Sequence, residues 1–284
     1  MKKIILFLFV SVYTLANINV VVSILPQKTF VEKIGGDKVN VSVMVLPGNS
    51  PHTYEPKPSQ MKDIAKAQVY FKTEIEFEHV WLKKFQSMNS SMKMVDSTKG
   101  IKRIPLAEHS HGDDEHHDHE KEDGLDPHVW LSPATVEIIA KNIYTTLVEF
   151  DHTNKAYYQK NYTAFLNEIE ATNKKINELL LTKDDMAKFL VFHPSFGYFA
   201  AQYRLEQIAI ESGGKNPKAK QIERIIKETK KDYYEVIIVA PEFSQKAANI
   251  IAKQSDLDVI SISPLNPNWS ENMIKLAKAI ANKK

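Results

Sequence analysis

Short runs of β-branched and aliphatic residues alternate with amphipathic stretches along almost the whole chain. The first run covers 19–24, and helical spacing starting at Pro26 lasts until Gly35-Gly36, a pair suited to ending a helix. Residues 39–45 (VNVSVMV) alternate apolar and polar positions as a strand does, then stop at Pro47-Gly48. Ser59 is suited to capping a short helix; 68–71 then predicts a third strand, 76–85 a helix and 94–96 a fourth strand. The same alternation returns late, with strands predicted at 189–192, 206–210, 236–239 and 259–262. This order predicts an α/β protein of two β/α domains, each with a mostly parallel four-stranded sheet.

Between the halves, Tyr158, Tyr162, Phe165, Ile169, Thr172, Ile176 and Leu179 recur at spacings of four and three, which is one seam of a single helix. No Pro or Gly interrupts 154–181, so a stiff connector of about 42 Å is expected. Its seam reads as core packing, because holding a cofactor would need polar groups facing inward. The expected organisation is a leader at 1–16, an N-terminal β/α domain at 17–153, a linking helix at 154–181 and a C-terminal β/α domain at 182–284.

The leader is read from Lys2 and Lys3, the apolar run 4–12, and the small residues of Thr14-Leu15-Ala16, which suit cleavage after Ala16. That apolar run is too short for the roughly 20 residues of a spanning helix. Export to a periplasm as a soluble monomer is therefore expected. Composition adds constraints. Lys plus Arg is 37 against 35 for Asp plus Glu, and the loss of two leader lysines would make the chain neutral, so there is no electrostatic case for a nucleic-acid partner. With 43% hydrophobic and 25% charged residues the chain has the composition of a folded protein. The absence of Cys removes disulfides, thiolate zinc sites and Cys nucleophiles together, leaving His, Asp and Glu as metal ligands.

Half of the ten His lie in one tract. Residues 108–123 (EHSHGDDEHHDHEKED) hold His109, His111, His116, His117 and His119 among eight carboxylates, with no apolar residue. A segment with nothing to bury cannot offset the entropy of ordering itself, so a mobile loop is expected. Imidazoles mixed with carboxylates form shifting, loose sites for borderline divalent ions, zinc above all. The bland reading is a solvated charge run; the tract is an accessory metal site on the sharper one.

The other His differ in setting. His52 sits in a loop leaving the C-terminal end of the 39–45 strand; His128 sits in DPHVWL, just before the Ser132-Pro133 helix start; His193 directly follows the strand 189–192. Ligands of open α/β sheets bind at that carboxyl edge. Two imidazoles from the first half and one from the second are thus able to converge on a metal in the cleft between domains. The alternative for each is a satisfied structural His. His79 and His152, on or beside helices, read as surface residues.

The combination of PGNSPHTYEPKPSQ, DPHVWLSP and FHPSFGYFAAQYRL, in that order, with APEFS and a final β/α unit, resembles the periplasmic metal-binding proteins of zinc and manganese ABC importers, the zinc branch above all. The resemblance spans essentially the whole chain after the leader. It implies two four-stranded β/α domains joined by a rigid helix, an ion held between them, and ligand roles for His52, His128 and His193; an acidic His-rich loop is likewise a mark of the zinc branch. Two departures stand out. Ser263 occupies the position where many relatives have a ligating Asp, and Pro51 stands where some zinc-branch members have Glu. The fourth donor is then water or a carboxylate, with Glu211 and Glu242 as weak candidates.

Three imidazoles favour zinc over manganese, although copper(II), nickel and cobalt also suit them. Imidazole coordinates only when neutral, so affinity is expected to fall below about pH 6.5. The implied function is capture of Zn2+ and delivery to an ABC permease with its ATPase. Manganese or another divalent ion is the alternative within the family. A zinc-dependent hydrolase is the alternative from another class, disfavoured because no H-E-x-x-H or comparable base motif occurs. A periplasmic zinc buffer or adhesin is a third.

Overall fold

The computed structural model describes residues 17–51, 53–106, 124–211 and 215–282. The first half begins with β1 (Ile18–Val22), α1 (Leu25–Gly35) and β2 (Val39–Val43). It continues through α2 (Pro58–Lys66), β3 (Val69–Lys72), α3 (Glu76–Met88) and β4 (Lys93–Asp96) to α4 (Pro133–Phe150). α5 (Lys155–Leu180) connects the halves. The second half runs β5 (Ala187–Val191), α6 (Gly197–Tyr203), β6 (Leu205–Ala209), α7 (Ala219–Thr229), β7 (Tyr234–Val239), α8 (Lys246–Ser255), β8 (Val259–Ser261) and α9 (Trp269–Ile280).

Both sheets are four-stranded and fully parallel, ordered β2-β1-β3-β4 and β6-β5-β7-β8. Each predicted strand is present. The alternation of side chains along the second sheet explains its runs of continuous hydrophobicity: Phe189, Val191, Val236 and Ile238 face one cluster, while Leu190, Ile237 and Val239 face another beneath α7 and α8. The first of these clusters also takes in β1, β3, α4, α5 and α9, so one apolar core runs through both sheets.

α5 is 26 residues long, about 39 Å at the helical rise, and packs against α1, α4 and α9. Its seam is buried at Tyr158, Phe165, Ile169, Thr172, Ile176 and Leu179, as its spacing predicts. Helix boundaries follow local chemistry. Gly36 ends α1 with φ of 54°, in the region that favours glycine. At α2 the expectation of a Ser59 cap is corrected: Lys57 is the cap and Pro58 opens the helix, with Gln60 Oε1 accepting from Lys57 N at 2.9 Å. Ser132 and Pro133 open α4 as expected, but the Ser132 hydroxyl donates across the molecule to Gln202 rather than capping the helix.

Candidate metal centre

The carboxyl edges of the two sheets face each other across a pocket of about 40 Å³, room for an ion and a water or two. His128 and His193 both line it, one from each half, with ring centroids 5.1 Å apart. Both imidazoles are nearly buried, with side-chain exposures of 8% and 9%.

Each ring is oriented by a buried carboxylate. Asp126 Oδ1 accepts from the backbone N of His128 at 2.8 Å, closing a turn of the kind Asp makes two residues ahead, and accepts from His128 Nδ1 at 2.8 Å. His193 Nδ1 donates to Glu211 Oε1 at 2.7 Å. A carboxylate on Nδ1 fixes the tautomer with its proton there, which makes Nε2 the coordinating nitrogen. Trp130 and Phe243 flank the pair, at 5.3 Å from His128 and His193 respectively.

The loop carrying His128 is held from several sides. The Asp126 carbonyl accepts from Tyr198 Oη at 3.0 Å and Arg103 Nη1 at 3.3 Å, and Arg103 Nη2 also donates to Thr73 O at 3.3 Å. Trp130 Nε1 donates to Pro264 O at 2.8 Å, and Trp269 Nε1 donates to Trp130 O at 2.7 Å. These paired indole bonds tie the His128 segment to the loop after β8 and to the start of α9. The buried N–H groups and carbonyls thereby satisfy one another across the domain boundary.

The remaining predicted site residues are distributed as follows. His52 lies outside the described residues, but its neighbours Ser50 and Pro51 line the same pocket. His109, His111, His116, His117 and His119 also lie outside the described residues. Glu242, from the end of β7, lines the pocket; Ser263 stands beside it, donating from Oγ to Glu242 Oε1 at 2.7 Å. Glu211 sits behind His193 rather than among the pocket-lining residues. His79 and His152 are exposed, as read from their helical settings. Among the described residues no three His, Cys, Asp or Glu side chains are already grouped closely enough to hold an ion.

Two supports were not singled out from sequence. Asp126 had a signal in its position two residues before His128, the spacing of an Asp-initiated turn. The Trp130–Trp269 exchange spans 139 positions and has no local signal.

The sequence model of the family described as zinc-uptake complex component A, periplasmic, matches residues 20–283. Among curated proteins, the high-affinity zinc uptake system protein ZnuA of Bacillus subtilis is 29% identical over 242 residues, 84% of this chain and 75% of that protein. The zinc-binding lipoprotein AdcA of Streptococcus pneumoniae is 27% identical over 260 residues, 90% of this chain but 52% of AdcA. The chain therefore spans about half the length of some of the curated relatives it matches. Among solved structures, a crystal structure of ZnuA superposes with a TM-score of 0.84 at 38% identity, covering 94% of this chain and 98% of that one. A zinc-bound ZnuA deletion mutant gives 0.83 at 38% identity, covering 94% and 97%.

Proposed function

The chain belongs to the periplasmic component A family of zinc-uptake complexes, and on that premise we propose that it captures Zn2+ outside the cytoplasm and hands it to the permease of an ABC importer. The leader at 1–16 directs export on this reading and is removed near Ala16. His52, His128 and His193 are the ligands, and His109, His111, His116, His117 and His119 gather zinc loosely before it reaches them.

The observation that carries the reading is the pair of imidazoles from opposite sheets, 5.1 Å apart, each with Nδ1 on a buried carboxylate. A carboxylate behind a ligating imidazole is the arrangement that metal sites use to aim and strengthen the ligand. A nitrogen-rich donor set supports zinc over manganese, which favours oxygen. Ligands drawn from two domains suit capture and release, which supports transport.

Calorimetric titration of the metal-stripped protein with zinc tests this. The wild type should show one tight site, and His52→Ala, His128→Ala and His193→Ala should each abolish it. A tight site that survives loss of any one of the three overturns the assignment.

A further inference from the structure

We propose that Glu242 is the fourth donor to the captured ion and that Ser263 is its positioning residue, an inference that rests on the ligand reading above. Glu242 reaches the pocket from the end of β7, on the same wall as His193. Its two oxygens are used unequally. Oε1 accepts from Ser263 Oγ at 2.7 Å. Ser263 Oγ in turn accepts from Leu265 N at 3.1 Å, so the single hydroxyl proton is directed at the carboxylate. Oε2 is buried and accepts no hydrogen bond among the described residues.

A buried carboxylate oxygen without a donor is costly, and a divalent cation beside it removes that cost. Of the other carboxylates nearby, Asp126 Oδ1 and Glu211 Oε1 each hold a ring Nδ1 from behind, Asp126 Oδ2 faces Gly197 rather than the pocket, and Glu76 lines the pocket as an exposed residue. Charge gives a second reason. Neutral imidazoles leave the double charge of the ion in a pocket whose wall is largely apolar, at Ile75, Trp130, Phe243, Pro264 and Leu265, with Glu76 its exposed carboxylate. In such surroundings one anionic donor is worth far more than it is in water.

Ser263 thus holds Glu242 through Oε1 and leaves Oε2 for the ion. The serine hydroxyl at this position is therefore not a weakened ligand but the residue that presents a carboxylate from the neighbouring strand end.

The test is zinc affinity by chelator competition on the full chain, together with the visible absorption of the cobalt(II)-loaded protein, which reports the donor set directly. Glu242→Gln should weaken zinc binding by about 100-fold and alter the cobalt spectrum. Ser263→Ala should weaken it by about 10-fold, in the range of outer-shell partners, while Ser263→Thr, which keeps the hydroxyl, should bind as the wild type does. The Glu242→Gln, Ser263→Ala double variant should be no worse than Glu242→Gln alone, since the serine acts through the glutamate. Wild-type affinity and an unchanged cobalt spectrum in Glu242→Gln, alongside loss of the site in His128→Ala, overturn the fourth donor and leave the imidazole ligands standing. Retention of the tight site in His128→Ala overturns the underlying reading instead. Additive losses in the double variant overturn the role of Ser263. Thermal melts of the metal-free variants matching the wild type show that each result concerns the site, not folding.

Discussion

Glu78 offers a sharp test of how the pocket wall is built. It sits in the first turn of α3, fully buried, where Oε2 accepts from Glu74 N at 2.8 Å and Thr73 N at 3.0 Å, and Oε1 accepts from Thr73 N at 2.9 Å and from the Ser23 hydroxyl. Those bonds pin the loop that follows β3, including Glu74 at φ of 65°, and this loop delivers Ile75 and Glu76 to the pocket. Desolvation is the largest influence on the carboxyl and outweighs its donors, pushing its pKa up to about 7 from an ordinary 4.5. The folded protein thus holds a proton that the unfolded chain releases near pH 4.5. Stability from this group is fully present below that value, falls as pH rises, and is lost through pH 7, by roughly 3 kcal/mol in all. Urea unfolding of chelator-treated wild type and Glu78→Gln between pH 4.5 and 8 isolates the effect, because all other titrating groups are shared. The wild type should lose stability relative to the variant as pH rises, with the difference levelling above about pH 7.5. Parallel curves for the two proteins would refute the reasoning.

Glu211→Gln keeps an acceptor for His193 Nδ1 but removes the charge behind the ring, and zinc affinity measured by calorimetry should fall about 10-fold or more; unchanged affinity would refute that coupling. Trp269→Phe leaves the Trp130 carbonyl without its 2.7 Å indole donor, and denaturant melts should show a loss of about 1–3 kcal/mol. Deleting residues 108–123 should lower the number of zinc ions seen by native mass spectrometry while the tight site persists; loss of the tight site would make the tract part of it. Scattering profiles of metal-free and zinc-loaded protein should nearly superimpose, since a large domain rotation would have to break the core that α5 shares with both halves.

Much of the architecture was legible because parallel strands buried on both faces read as unbroken apolar runs, as 189–192 and 236–239 do, while α5 announces itself through a single seam without Pro or Gly. Errors were local: at α2 the propensity of Ser59 to cap yielded to Pro58, whose fixed φ starts the helix two residues earlier. At the site, His193 was legible from its position after β5, at the sheet edge where ligands bind, and His128 from its place just before the Ser132-Pro133 helix start, in the loop between β4 and α4. What sits behind them was less so. Glu211 reads as a donor in sequence because a carboxylate after a strand looks the same whether it faces the pocket or the back of an imidazole. The distinction depends on the side-chain direction at the end of β6, which only three-dimensional packing decides.

The way the halves are joined constrains how cargo can enter and leave. Trp269 is buried against Phe30 at 5.9 Å, Phe30 packs on Phe165 of α5 at 5.5 Å, and Thr29 Oγ1 donates to Pro267 O at 2.9 Å, so α1 of the first half is stitched to the start of α9 in the second. Separating the halves widely would expose this apolar surface at about 25 cal/mol per Å² and leave both indole-bonded carbonyls unsatisfied. The pocket wall is different, since Ser50-Pro51 and the segment at Glu242 belong to loops rather than to either sheet. On the proposed ligand set, the ion is therefore expected to enter and leave by side-chain and loop rearrangement at the carboxyl edges, with Asp126 and Glu211 holding the rings of His128 and His193. A binding protein built this way is expected to exchange its cargo by remaking part of the ligand set rather than by opening the whole cleft.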